Sequence, residues 1–290
     1  MRALIRDTEL FFDIEGAGLV FDGTQMREKR PAFLIHGGPG GDHTATKAAC
    51  GPLAEKMQLV YFDQRGQGRS ARGDVARYTL DENVEDMEAL RRHLGVGPIV
   101  SIGASYGGMV AMAHAARYPD AVSHLVLIVT AAHSGFIDRA RLIARERGTS
   151  EQVSLVEDLF AGRIDTPDKL RHYYEVMGSL YSRNFDPVAA KARLQRAILT
   201  PEALNRAYAP DGCLRDFDLR PELRAITAPT LIVAGRHDWI CAPEFSQEIH
   251  EHIAGSDFRL FEQSGHGVLG DETRELLDAI AGFIVYRPRK

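Results

Sequence analysis

The chain has 290 residues, 44% of them apolar and 26% charged, and its 35 Lys and Arg against 40 Asp and Glu leave a formal net charge of −5. That composition suits one globular domain, or one domain carrying an insertion. The mild acidity excludes nucleic acid as a main partner, because phosphate binding needs clustered Lys and Arg.

No run approaches the roughly 18–20 apolar residues of a membrane span. Met1 to Asp7 carries charges where a secretory signal needs an apolar core, so no membrane partner is expected and the cytoplasm is the expected address. The cysteines are Cys50, Cys213 and Cys241. Their odd number and their spacing suit neither a disulfide framework nor a zinc site, and they read as small apolar fillers. No His, Cys and carboxylate grouping has metal-ligand spacing, so neither a metal nor another cofactor is expected.

In chain order, short apolar runs near Ala3–Arg6 and Leu10–Ile14 are expected to form an antiparallel edge. Pro31–His36, Gln58–Phe62, Ile99–Gly103, His124–Val129 and Thr230–Ala234 are continuous apolar runs. Runs of this kind suit strands covered on both faces. Asp257–Phe261 is a weaker, alternating run. Helical patterns separate them. Thr79 to Leu94 opens with Thr79-x-x-Glu82, which has the form of a capping box, and places Leu80, Val84, Met87, Leu90 and Leu94 on one face. Tyr106 to Tyr118 and Thr273 to Ile284 are similar. Strands alternating with helices imply crossovers and a mostly parallel α/β sheet.

Residues 134–220 break this alternation. They are charged and helical, with starts signalled at Thr166-Pro167, Asp186-Pro187 and Thr200-Pro201, each a capping residue before a first-turn proline. They are read as a helical cap inserted after the sixth strand, between core segments 1–133 and 221–290. An inserted lid commonly covers a site and sets its specificity.

The chemistry starts at Gly103-Ala-Ser105-Tyr-Gly107. Here a strand must turn sharply into a helix. The glycines avoid a clash in the turn, and the serine hydroxyl is lifted clear of the sheet. A hydroxyl is a poor nucleophile until a base takes its proton. Asp238 and His266 follow the next two expected strands after the insertion, at the carboxyl edge where open α/β sheets place their sites. The order Ser105, Asp238, His266 gives nucleophile, acid and base. His237 precedes the acid and reads as a solvated loop residue. His43 and His133 read as local hydrogen-bonding residues. His36 reads the same way, with a possible place in the substrate pocket.

A tetrahedral intermediate needs hydrogen-bond donors for its oxyanion. His36-Gly-Gly38-Pro-Gly40 follows a buried strand, and the backbone N–H groups of Gly38 and Tyr106 are the expected pair. Asp63-Gln-Arg-Gly-Gln-Gly-Arg-Ser70 lacks the Gly-Lys-Ser/Thr of a phosphate loop and reads as a brace for the oxyanion turn.

These segments together resemble the proline iminopeptidase group of α/β-hydrolases: His36–Gly40, Asp63–Gly66, Gly103–Gly108, the Asp238 loop and Gly265-His266. The likeness spans nearly the whole chain except the insertion. It implies the α/β-hydrolase fold, a Ser105–Asp238–His266 triad, and glutamates that grip a substrate amine. Late in the insertion, where such a glutamate is expected, the chain has Leu204-Asn-Arg-Ala-Tyr208. Trp239 follows the acid and is expected to form an apolar wall of the substrate pocket. Glu175, Asp211, Asp216 and Asp218 are the candidates to replace the missing carboxylate. Three readings follow: an iminopeptidase-like enzyme releasing an N-terminal residue or hydrolysing an amino-acid amide, an esterase or lactonase with an apolar acyl pocket, and a ligand receptor that keeps the fold. The expected partner is a small molecule or a short peptide. Nothing in the sequence fixes an oligomeric state.

Overall fold

Five apolar runs form strands that are buried almost end to end: Pro31–Ile35, Gln58–Phe62, Ile99–Ala104, Val122–Ile128 and Thr230–Gly235. The computed structural model describes residues 1–286, so 287–290 of the expected core lie outside the described residues.

The order begins β1 (Arg2–Ile5), β2 (Thr8–Glu15), β3 (Leu19–Asp22), β4 (Gln25–Glu28), β5 (Pro31–Ile35), α1 (Thr44–Cys50) and β6 (Gln58–Phe62). It continues α2 (Leu80–His93), β7 (Ile99–Ala104), α3 (Tyr106–Arg117) and β8 (Val122–Ile128). Five helices follow: α4 (Phe136–Arg147), α5 (Ser150–Phe160), α6 (Pro167–Tyr181), α7 (Pro187–Arg196) and α8 (Pro201–Tyr208). The chain then gives β9 (Thr230–Gly235), α9 (Pro243–His252), β10 (Asp257–Phe261), α10 (Val268–Asp271) and α11 (Thr273–Tyr286).

The main sheet has the order β1-β2-β6-β5-β7-β8-β9-β10. β1 and β2 pair antiparallel at one edge, and every pairing from β6 to β10 is parallel. This is the α/β-hydrolase arrangement that the alternating pattern implies. Alternate residues of each strand face opposite sides. Phe33, Ile35, Val60, Phe62, Leu125, Leu127 and Ile232 join one core with α2, α3 and the helices between β8 and β9. Leu34, Leu59, Val100, Ile102, Val126 and Val233 join the other with α1 and α11. On α2, Val84, Met87 and Leu90 are fully buried. Each such side chain contributes about 1.5–3 kcal/mol.

Three local expectations are corrected. Residues 19–28 form an additional hairpin, β3–β4, turning at Gly23-Thr24, so the helical insertion follows the eighth strand of the chain and the sixth of the main sheet. Thr79 caps α2 by accepting from the Glu82 N–H at 3.2 Å. The Glu82 carboxylate instead pairs with Arg6 and Arg77, because two guanidiniums outbid one backbone N–H. Thr200 makes no side-chain cap for α8. Its hydroxyl accepts from Arg72 and its N–H donates to the Gly40 carbonyl, so it ties the insertion to the loops at the sheet edge.

Candidate active site

The site begins with the backbone at Ser105, which joins β7 to α3 at φ 55° and ψ −123°. A non-glycine residue with positive φ is strained. The neighbours enforce it. A Cβ at Gly103 would lie 2.2 Å from the Gly107 carbonyl oxygen, and one at Gly107 would lie 2.2 Å from that of Ile35. Only glycine lets the elbow close this tightly. Ser105 remains partly exposed amid buried residues.

Beside the elbow lies the turn after β5. A Cβ at Gly37 would come within 3.2 Å of the Ser105 Cβ, so this turn and the serine are in contact. Neither the Gly38 N–H nor the Tyr106 N–H donates a hydrogen bond among the described residues. The turn is held from behind. Gln67 accepts from the Gly40 N–H at 2.7 Å, and Gln64 donates to the His36 carbonyl at 2.8 Å. The Asp63–Ser70 loop therefore acts as the expected brace. It is itself held by buried Asp63, which accepts from the His43 N–H and ring and from the Arg69 N–H. Burial alone would raise the Asp63 pKa, but the hydrogen bond and charge of His43 hold it below the usual carboxylate value.

His36 sits beneath the turn, buried, its Nδ1 directed to the Gly37 carbonyl and its Nε2 accepting from the Gln64 N–H at 3.2 Å. Burial lowers its pKa from 6.5, which suits a neutral ring that must accept.

Because β7, β8, β9 and β10 are consecutive neighbours in the sheet, their carboxyl ends share one edge with the elbow. Asp238, fully buried in the loop after β9, accepts from the Ile240 and Cys241 N–H groups at 2.9 and 3.0 Å through Oδ1. Its Oδ2 receives the His266 Nδ1 at 2.8 Å. With Nδ1 engaged, Nε2 is the nitrogen left for proton transfer. His237 links the two loops by donating its N–H to the Ser264 carbonyl at 2.9 Å. His133 pairs with Glu248 at 3.0 Å.

The insertion supplies an aromatic wall. The Tyr181 ring stands edge-on to His266 and to Trp239, each at 5.5 Å. Tyr173 and Tyr174 pack against it, and the Tyr173 and Tyr181 hydroxyls meet at 3.0 Å. Burial pushes the Tyr174 phenol up to about 12 and those of Tyr181 and Tyr208 well above 10. Trp239 is fully buried behind Tyr181. Leu204 packs on the turn after β5, its Cβ 3.1 Å from where a Gly40 Cβ would lie. Glu175, Asp211, Asp216 and Asp218 are all exposed. Asp211 pairs with Arg206 and Asp218 with Arg220, which holds the Asp218 carboxyl at about 2. Sequence reading missed Tyr181 and Asp271. The latter lies five residues after His266 and accepts from the Gly265 N–H at 2.9 Å. No local pattern marks either.

A strained serine elbow beside a glycine turn, with an Asp–His pair on the same sheet edge, defines an α/β hydrolase. The chain belongs to that family: the alpha/beta hydrolase fold model matches residues 31–273. Among its relatives, proline iminopeptidase PfmaB of Pestalotiopsis fici is 32% identical over 265 residues, 89% of this chain and 92% of that one. The crystal structure of proline iminopeptidase from Mycobacterium smegmatis shares the fold with a TM-score of 0.76 at 22% identity, covering 98% of this chain and 96% of that one. A thermophilic esterase from Thermogutta terrifontis matches with a TM-score of 0.71 at 26% identity, covering 96% and 93%. No described helix is long and apolar enough to cross a membrane.

Proposed function

We propose that the chain is a serine hydrolase working through an acyl-enzyme, with Ser105 as nucleophile, His266 as general base and Asp238 as the acid that orients it. The 2.8 Å bond from His266 Nδ1 to Asp238, on the sheet edge that carries the Ser105 elbow, supports this reading most directly. His266 takes the Ser105 proton as Oγ attacks the substrate carbonyl. The Gly38 and Tyr106 N–H groups receive the oxyanion, each worth about 10²–10³ in turnover. His266 then protonates the leaving group, and water releases the acyl group by the same route.

The substrate is a small ester, lactone or amide presenting a neutral, apolar acyl group beneath residues 134–220, which act as the cap. Tyr174 and Tyr181 supply an aromatic wall, backed by buried Tyr173 and Trp239, and Leu204 stands against the oxyanion turn. A buried substrate ammonium needs a paired carboxylate, and the four candidates of the cap are exposed. The second reading, release of an N-terminal residue, is supported by the His36–Gly40 turn and by the 32% identity to a proline iminopeptidase.

Turnover of methyl butyrate, a small lactone and proline methyl ester separates the two readings, because the two methyl esters share a leaving group and differ in the acyl group. The apolar reading expects kcat/KM for methyl butyrate to exceed that for proline methyl ester by at least tenfold. The reverse order supports the peptidase reading. Labelling of Ser105 by a fluorophosphonate without turnover of any of the three indicates a receptor.

A further inference from the structure

The loop that carries His266 is clamped by two adjacent carboxylates, and one of them also holds the cap. Glu272 accepts from the Gln263 N–H at 3.1 Å and from the Ser264 hydroxyl at 2.6 Å. Both partners lie within the same loop. Asp271, at the end of α10, does something different. Its Oδ2 accepts from the Gly265 N–H at 2.9 Å, one residue before the base. The same oxygen accepts from the Arg183 N–H at 3.1 Å, and Oδ1 accepts from the Ser182 hydroxyl and from the Asn184 N–H at 3.2 Å. Its backbone carbonyl accepts from the Asn184 side-chain amide at 3.2 Å.

Residues 182–184 form the turn that leaves α6. One carboxylate therefore joins the cap turn to the base-bearing loop. Two further contacts reinforce the junction. The Gly267 N–H, one residue after the base, donates to the Tyr181 carbonyl at 2.7 Å. A Cβ at Gly265 would lie 2.7 Å from the same oxygen, so the two backbones are in direct contact. The Tyr181 ring then returns to stand edge-on to the His266 imidazole. On the far side of α7, Asp42 accepts from the Ile198 N–H at 2.9 Å and the Gly40 carbonyl from the Thr200 N–H at 2.8 Å. That anchor reaches the oxyanion turn and not the base.

We propose that Asp271 is a positioning residue that couples the seating of the cap turn at Ser182–Asn184 to the placement of His266, so that the base is correctly set only when the cap is docked. The idea rests on the serine-hydrolase reading above. Its physical basis is the sensitivity of proton transfer to geometry, since a displacement of about 1 Å can cost about 10²-fold in rate. A carboxylate is also the one side chain of this size that accepts four backbone and hydroxyl donors without presenting a donor of its own. An amide here turns its NH₂ toward either the Gly265 and Arg183 N–H groups or the Ser182 hydroxyl and Asn184 N–H.

The experiment measures kcat and KM for p-nitrophenyl acetate, a probe too small to depend on cap contacts for binding, in Asp271→Asn, Ser182→Ala, the double variant and Ser105→Ala. Thermal unfolding is followed for each. Coupling expects Asp271→Asn to lower kcat by about ten- to hundredfold with KM within twofold. It expects Ser182→Ala to lower kcat in the same sense. It further expects the double variant to be no slower than Asp271→Asn alone, because both changes cut one link. A kcat for Asp271→Asn within twofold of the parent, or two effects that multiply as independent losses, overturns the proposal. If Asp271→Asn does not fold, Ser182→Ala decides alone: lowered kcat at unchanged KM supports coupling, and unchanged kcat overturns it. Turnover that survives in Ser105→Ala refutes the hydrolase reading itself, whereas an inactive Ser105→Ala with an indifferent Asp271→Asn refutes only the coupling.

Discussion

Replacing Asp238 by Asn removes one charge and changes almost no shape, which makes it a sharp probe of the acid. The Asn oxygen can keep both bonds from the Ile240 and Cys241 N–H groups. Its NH₂ then faces His266 Nδ1, where the native Oδ2 accepts at 2.8 Å. Flipping the amide would forfeit two backbone bonds, each worth about 0.5–1.5 kcal/mol, and would set NH₂ against two N–H donors. The retained orientation obliges Nδ1 to accept, so the proton moves to Nε2, the nitrogen needed as base. Neutralising the acid of such a triad costs about 10⁴ in kcat, or about 5.4 kcal/mol at 1.36 kcal/mol per tenfold. Stopped-time assay of p-nitrophenyl acetate, with thermal unfolding as the fold control, reads both quantities. The expected result is that loss in kcat with Tm changed by only a few degrees. A kcat within tenfold of the parent, in a folded variant, refutes the reasoning.

Ser105→Gly should be more stable than Ser105→Ala. Glycine relieves the backbone strain at φ 55°, worth about 1–3 kcal/mol, against an unfolded-chain cost of about 0.5–1 kcal/mol, and a lower Tm for the glycine variant contradicts this. Gly107→Ala places a methyl 2.2 Å from the Ile35 carbonyl oxygen and should lose at least 1–3 kcal/mol, roughly the cost of overpacking a well-packed core; an unchanged Tm counts against the packing described. His36 supplies a pH test. Its folded pKa lies below 6.5 through burial, so its contribution to stability is complete above pH 6.5 and is lost as pH falls below that value. Tm should therefore decline less steeply between pH 7 and pH 5, a range of about two units around the imidazole value, in His36→Asn than in the parent. Equal slopes exclude the role.

Much of this architecture is legible in the sequence because it is written in local patterns. Buried parallel strands must be apolar throughout, so β5 to β9 stand out. The glycines at 103 and 107 have no alternative in so tight a turn. What escaped depends on partners far away in the chain. The β3–β4 hairpin turns at Gly23-Thr24, with glycine at φ 63° in the first loop position, a sound two-residue turn signal, but Phe21 is 85% exposed, so its strands lack the burial pattern that marks the others. Glu82 has the spacing of a capping partner, yet Arg6 reaches it from 76 residues away. Asp271 and Tyr181 matter because a turn of the insertion docks on the His266 loop, and no periodicity or motif encodes that docking. Where a carboxylate gripping a substrate amine is expected, the chain has Leu204, and the four alternatives named from the sequence are exposed.

The proposed hydrolase chemistry depends on one activated hydroxyl, and covalent labelling interrogates it directly. A fluorophosphonate, followed by peptide mass spectrometry, should place one adduct per chain on Ser105, with hydrolytic activity lost in step with labelling and no adduct in Ser105→Ala. An adduct on another residue, or turnover that persists at full occupancy of Ser105, contradicts the assignment.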